Sequence, residues 1–304
     1  MAMRSWLFVP GDSESKLAKV ASAGADITIV DLEDAVAPEA KERARHLAAE
    51  WLAESRNAHG APEPAGSGGA AARWVRINPL DGDLWRADLA AIIAGAPAGI
   101  MVPKAAGPAQ LGLLTDELDV LEPRHGIAPG ATRILPLVSE TPTAALTIAT
   151  YANAAAVPTS TRLIGLTWGA EDLSAAIGAT RKRGPDGAWT DLFRMVRSTV
   201  LLTAHAAGVA AIDTLQADFR DLAGLDRAAH AAYADGFHGM LAIHPAQVPV
   251  INAAFTPTAE QIAEARAIVA AFAAEGQAGA LQLEGRMIDR PHLEQAKRLL
   301  AGER

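Results

Sequence analysis

Eight short apolar runs recur along the chain, separated by longer stretches of helical period, and this repeat constrains the fold more than any other feature. The runs are residues 6–9, 27–32, 73–77, 99–102, 134–138, 162–166, 209–212 and 240–243. Most are near-continuous rather than alternating, as in strands covered on both faces of a parallel sheet. Between them, Ala44, Leu47, Ala48 and Trp51 fall on one helical face. So do Leu192, Met195, Val196, Thr199 and Val200, and later Ile262, Ala265, Val269 and Phe272. Asp12 is a start signal for the first helix, and Thr258 with Gln261 fits a capping box. Eight strand–helix repeats in 304 residues predict an α/β fold, a (β/α)8 TIM barrel. The alternative is an open doubly wound sheet, but no GxGxxG follows the first run.

The barrel is expected over residues 1–275, with a C-terminal helical extension at 276–304 whose last helix starts near Pro291. The Gly-, Ala- and Pro-rich stretch 58–72 reads as a surface loop. Absence of cysteine excludes thiolate nucleophiles and Cys-ligated metals. A net charge of −8 and 5% aromatic residues speak against nucleic-acid binding. The apolar opening before Pro10 is too short for a signal peptide, and no run reaches the roughly 20 residues of a membrane span. A cytoplasmic enzyme without nucleic-acid or membrane partners is the expectation.

Barrel enzymes carry their chemistry on the loops after the strands. The polar residues there are Asp12; Asp31, Glu33 and Asp34; Arg76 and Asn78; Lys104; Ser139 and Glu140; Glu171 and Asp172; Asp213; and His244. Carboxylates crowded on one rim repel unless a cation joins them. An oxygen-only ligand set suits Mg²⁺ or Mn²⁺. Glu140 and Asp172 follow consecutive strands and can reach one ion; the alternative for each is helix N-capping. Arg76 fits a bidentate clamp on a substrate carboxylate or enolate, or an ion pair with Glu33 or Asp34. Lys104 reads as a contact to an anionic ligand or as a surface lysine. His244 reads as a base or, in preference, as a loop anchor. The basic run 181–184 reads as a phosphate contact or, in preference, as a solvated loop.

The motifs RSWLFVPGD, DLEDAV, RINP, VPKA, LPLVSET, GAEDL, AAGVAAID, AIHPAQV and GRMIDRPHLEQAKRLL occur in this order. As a set they resemble the citrate lyase beta-subunit-like branch of the HpcH/HpaI aldolase/citrate lyase family. The resemblance implies a Mg²⁺-dependent carbon–carbon lyase on a barrel. It would cleave or condense β-hydroxyacyl thioesters such as malyl-CoA or citramalyl-CoA, giving an α-oxo acid and acetyl-CoA. It implies Glu140 and Asp172 as metal ligands and Arg76 as substrate and enolate clamp. Glu140 and Lys104 would join Arg76 in substrate binding, and Glu33 and Asp34 would support the metal. Asp289 matches the catalytic Asp that a neighbouring subunit's tail delivers, in a homotrimer or hexamer; it also suits the N-cap of the last helix. Arg4 and Lys104 match positions near the pantetheine or phosphate arm. Two departures stand out: Met240 replaces a common Lys, and 58–72 is an unusual insertion. The alternatives are a thioesterase on the same substrates and the citryl-carrier-protein lyase subunit of a citrate lyase complex.

Overall fold

The computed structural model describes residues 3–59, 71–156, 161–275 and 279–302, with side chains except at 55–59 and 154–156. The loop expected at 58–72 lies mostly outside the described residues. Eight strands form the barrel: β1 (Ser5–Pro10), β2 (Ile27–Asp31), β3 (Ala72–Arg76), β4 (Gly99–Val102), β5 (Arg133–Pro136), β6 (Gly165–Thr167), β7 (Ala210–Asp213) and β8 (Gly239–Ala242). Around them run α1 (Glu14–Val20), α2 (Lys41–His59), α3 (Leu84–Ile92), α4 (Pro108–Arg124), α5 (Pro142–Thr147), α6 (Ala170–Ala176), α7 (Asp191–Ala206), α8 (Leu222–Asp235) and α9 (Gln247–Ala254).

All neighbouring strands pair parallel, in the order β5-β4-β3-β2-β1-β8-β7-β6. Parallel bridges Ile134–Leu163 and Leu137–Thr167 close the ring between β5 and β6. The expected TIM barrel is therefore the observed fold. Its interior is filled by alternate strand residues, with Trp6 and Trp74 edge to face at 5.1 Å. Gly99 makes room for that packing, since a Cβ there would lie 2.4 Å from the Trp74 ring. The opposite strand faces meet the helices through Val30, Val75, Ile100 and Ala211, with Ala44, Ala48 and Leu89 on the helical side.

Three local expectations change. The sixth strand begins at Gly165, three residues after the start of its apolar run. Arg162 is buried beneath it, donating to both Glu122 carboxylate oxygens at 2.7 Å and pairing with Asp119. The inward face of α7 is Phe193, Val196, Val200, Thr203 and Ala204, whereas Leu192 and Met195 are exposed. That helix carries apolar residues on two faces, so periodicity alone misplaces its core stripe. Asp12 is not the cap of α1, which starts at Glu14 after Ser13. The Thr258–Gln261 box is present: each residue's N–H meets the other's side-chain oxygen, at 2.9 and 3.2 Å.

The tail follows α10 (Ala259–Glu275) as an antiparallel hairpin, β9 (Ala280–Leu283) and β10 (Arg286–Asp289), and then α11 (Arg290–Ala301). It packs on α10, where Arg286 pairs with Glu264 at 2.6 Å. Among the described residues no helix is long and apolar enough to cross a membrane.

Candidate active site

Parallel register places the last residues of β2 and β3, Asp31 and Arg76, side by side. Arg76 Nε donates to Asp31 Oδ1 at 2.8 Å and Nη2 to Oδ2 at 2.6 Å. Nη1 lies 3.0 Å from Glu33 Oε2, an ion pair without hydrogen-bond alignment. The guanidinium also stacks over Phe8, 4.9 Å from the ring centre. Burial opposes its charge, but Asp31, Glu33 and Glu140 outweigh that and raise its pKa. The ion-pair reading of Arg76 is thus present, with Asp31 as an unforeseen principal partner. Of a guanidinium's five N–H groups, about two remain for a substrate oxygen.

Lys104 follows β4 with a left-handed backbone, φ 51°. Its N–H donates to Glu140 Oε2 at 2.6 Å, while its ammonium pairs with Glu33 and Asp34. Burial lowers the Lys104 pKa, but the Glu33 contacts dominate and raise it. Glu33 itself is raised by burial, against the pull of Arg76 and Lys104.

Glu140 follows β5 and is 3% exposed. Burial pushes its carboxyl up to about 8; Arg76 and the Lys104 N–H oppose this, and the charges of Asp172 and Glu33 add to it. Two bonds between Ser139 and the Gly169 backbone, at 3.1 and 3.3 Å, tie the β5 loop to the β6 loop. Gly169 lies against Glu140, whose Cγ would be 3.2 Å from an added Cβ. Asp172 sits half-buried in the first turn of α6 and accepts no hydrogen bond among the described residues. Neither carboxylate is an N-cap: Thr141 caps α5 and Gly169 precedes α6.

The rim gathers Asp31, Glu33, Asp34, Glu140 and Asp172 around Arg76 and Lys104. Among the described residues no three His, Asp or Glu side chains form a ready-made metal cage. Mg²⁺ needs none, because it takes one or two carboxylates and fills its octahedron with water and substrate. Buried Glu140, short of positive charge and beside uncommitted Asp172, fits that demand.

Beneath the rim lies a support of which the sequence reading names only Asn78. Lys41 Nζ donates to the Leu32 and Glu33 carbonyls at 2.7 Å. Asn78 Nδ2 reaches the same Leu32 carbonyl and Asp88, and Arg45 holds the other Asp88 oxygen. Asp88 is fully buried on the apolar face of α3, and a charge at such a position was the available signal.

Other rim residues are structural. Asp213 accepts from Trp168 Nε1 and Arg197 Nε at 2.7 and 2.9 Å. His244 stacks on Phe219 and accepts the Ala246 N–H, in keeping with the loop-anchor reading. In the basic run, Lys182 pairs with Glu171 and Arg183 stacks on Trp189. Arg4 precedes β1, at the mouth opposite the rim, and pairs with Asp26. Met240 is buried in the strand–helix layer. Asp289 caps α11, and among the described residues no hydrogen bond or ion pair joins it to the rim.

The profile of the HpcH/HpaI aldolase/citrate lyase family matches residues 4–245. A citrate lyase subunit beta-like protein of Mycobacterium tuberculosis (strain H37Rv) is 38% identical over 300 residues, 98% of this chain and 95% of the relative. The mitochondrial citramalyl-CoA lyase of Rattus norvegicus is 34% identical over 311 residues, 98% of this chain and 85% of the relative. The crystal structure of protein CitE from Mycobacterium tuberculosis, in complex with magnesium, acetoacetate and coenzyme A, superposes with a TM-score of 0.75. It is 36% identical, with 99% of this chain and 97% of that chain covered.

Proposed function

The chain belongs to the HpcH/HpaI aldolase/citrate lyase family, and from that premise we propose that it is a Mg²⁺-dependent carbon–carbon lyase acting on a β-hydroxyacyl-CoA, malyl-CoA or citramalyl-CoA. The observation that carries this reading is the convergence of Arg76, Glu140 and Asp172 on the C-terminal rim. Glu140 and Asp172 would hold the cation. Bound there, Mg²⁺ would supply Lewis acidity toward the α-oxo acid.

In the cleavage direction the substrate hydroxyl would lose its proton to the Asp289 carboxylate, the bond between the α and β carbons would break, and its electron pair would pass into the thioester enolate. Arg76, held by Asp31 and Phe8, would present its remaining N–H groups to the enolate oxygen without reorganising. Lys104 and Arg76 neutralise Glu33, so the rim can accept an anionic substrate. Asp289, delivered by a neighbouring subunit's tail in a homotrimer or hexamer, would exchange the proton at the enolate carbon or the hydroxyl. No covalent enzyme intermediate is needed, in keeping with the absence of cysteine.

The test supplies malyl-CoA, citramalyl-CoA and citryl-CoA with Mg²⁺ and follows α-oxo acid and free thiol separately. The lyase reading predicts glyoxylate or pyruvate with acetyl-CoA, and no early free thiol. Free thiol without α-oxo acid would mark a thioesterase instead. Turnover of citryl on an acyl-carrier protein alone would mark a citrate lyase subunit.

A further inference from the structure

The tail carries a side-chain pair that the rim chemistry leaves unexplained. Asp289 Oδ1 lies 2.5 Å from His292 Nδ1, and the same ring nitrogen is 3.3 Å from the Asp289 backbone N–H. A nitrogen and an oxygen that close need a proton between them. Two arrangements satisfy the geometry. Either Nδ1 carries the hydrogen and donates to a carboxylate, or Asp289 is protonated and donates to a bare Nδ1. In the first, Nδ1 has no lone pair left to accept with; in the second, its one lone pair is shared between the carboxyl O–H and the more distant Asp289 N–H. The pair thus has two proton states of nearly identical shape.

We propose that His292 is a positioning residue for Asp289, holding its carboxyl in one rotamer and sharing its proton. This rests on the reading above, in which Asp289 moves the proton at the enolate carbon. A protonated Asp289 gives its proton to that carbon, and the new C–H bond takes up the enolate electron pair. The carboxylate left behind is then held by the imidazole in its Nδ1–H tautomer. The tautomer forms as Nδ1 takes a proton from water while exposed Nε2 returns one. The reverse sequence resets the pair for condensation.

Two of the neighbouring charges are committed to other partners. Arg286 of β10 pairs with Glu264 of α10, and Glu294 pairs with Lys297 on α11. Glu284 lies in the hairpin turn, Arg290 and Arg298 on α11, and Glu260 on α10; none of these forms an ion pair with Asp289 or His292 among the described residues.

His292 is also the third residue of α11 in a capping box. A merely structural role must therefore be separated from the proposed one. Gln is a standard capping-box partner at that position, so His292→Gln keeps the cap and removes the ionisable ring. His292→Gln should melt at the wild-type temperature and bind Mg²⁺ with wild-type affinity. Its kcat should fall about tenfold, less than the roughly 100-fold or more that losing the acid–base group itself would cost. The kcat–pH profile should lose one of the two ionisations of a coupled pair, and added imidazole should restore part of the rate. Wild-type kcat and pH profile in His292→Gln, with only His292→Ala impaired, would make His292 a helix cap and overturn the proposal.

A readout independent of turnover is ¹⁵N NMR of the histidine rings, with His292 assigned by its loss in His292→Gln. Neutral His292 should favour the Nδ1–H tautomer and shift toward Nε2–H in Asp289→Asn. An unchanged tautomer would equally overturn the proposal. Undiminished turnover by Asp289→Asn, by contrast, would refute the assigned role of Asp289 itself.

Discussion

Mg²⁺ binding should be strongly pH-dependent, because Glu140 must lose a proton to become a ligand. Its carboxyl is lifted from 4.5 to about 8, chiefly by burial. The metal-free folded state therefore holds this proton more tightly than the unfolded chain does. The sign follows: without metal, Glu140 costs stability progressively as pH rises from about 4.5 to 8, and Mg²⁺ offsets that cost. With that pKa, about one molecule in a hundred has Glu140 ionised at pH 6, and about half at pH 8. Apparent Mg²⁺ affinity should then rise about fiftyfold between pH 6 and pH 8, or about 2.3 kcal/mol. A carboxylate of ordinary pKa would give almost no change over that interval. Calorimetry in buffers of different ionisation enthalpy measures both the affinity and the proton released, close to one per Mg²⁺ at pH 7. The melting-temperature gain from Mg²⁺ should be larger at pH 8 than at pH 6. Affinity flat from pH 6 to 8, with no proton released, would refute the claim that buried Glu140 is a ligand.

Asp172→Ala should abolish the Mn²⁺ electron paramagnetic resonance signature of bound metal while leaving the far-ultraviolet circular dichroism unchanged; retained binding would remove Asp172 from the site. Asp31→Ala strips buried Arg76 of its bidentate partner and should cost about 3 kcal/mol in urea unfolding, with an unchanged midpoint counting against the pair. Gly99→Ala forces a Cβ against the Trp74 ring and should destabilise the barrel by about 1–3 kcal/mol, read as a lower melting temperature.

Much of this architecture is legible in the chain because a parallel barrel writes each strand as an apolar run and each helix as a stripe. The sixth strand is the instructive exception. Its run starts at Arg162, a residue buried by a specific ion cluster with Glu122 and Asp119 rather than by strand pairing. That pairing is long-range and leaves no local trace. The rim shows the same division. Position after a strand selects Arg76, Lys104, Glu140 and Asp172, but partners are set by register between strands. Hence the Asp31–Arg76 fork and the Lys104 N–H bond to Glu140 emerge only in three dimensions. Asp88, a lone charge on an apolar helix face, is the support that sequence could have flagged. The role proposed for Asp289 comes from resemblance, since a tail residue has no strand to place it.

The most direct test of the central claim is a crystal structure of the protein with Mg²⁺ and an α-oxo acid. The account predicts one Mg²⁺ held by Glu140 and Asp172, the keto oxygen and one carboxylate oxygen of the α-oxo acid on the ion, and Arg76 facing the position of the enolate. Metal seated on Glu33 and Asp34 instead, or an α-oxo acid bound away from Arg76, would contradict it.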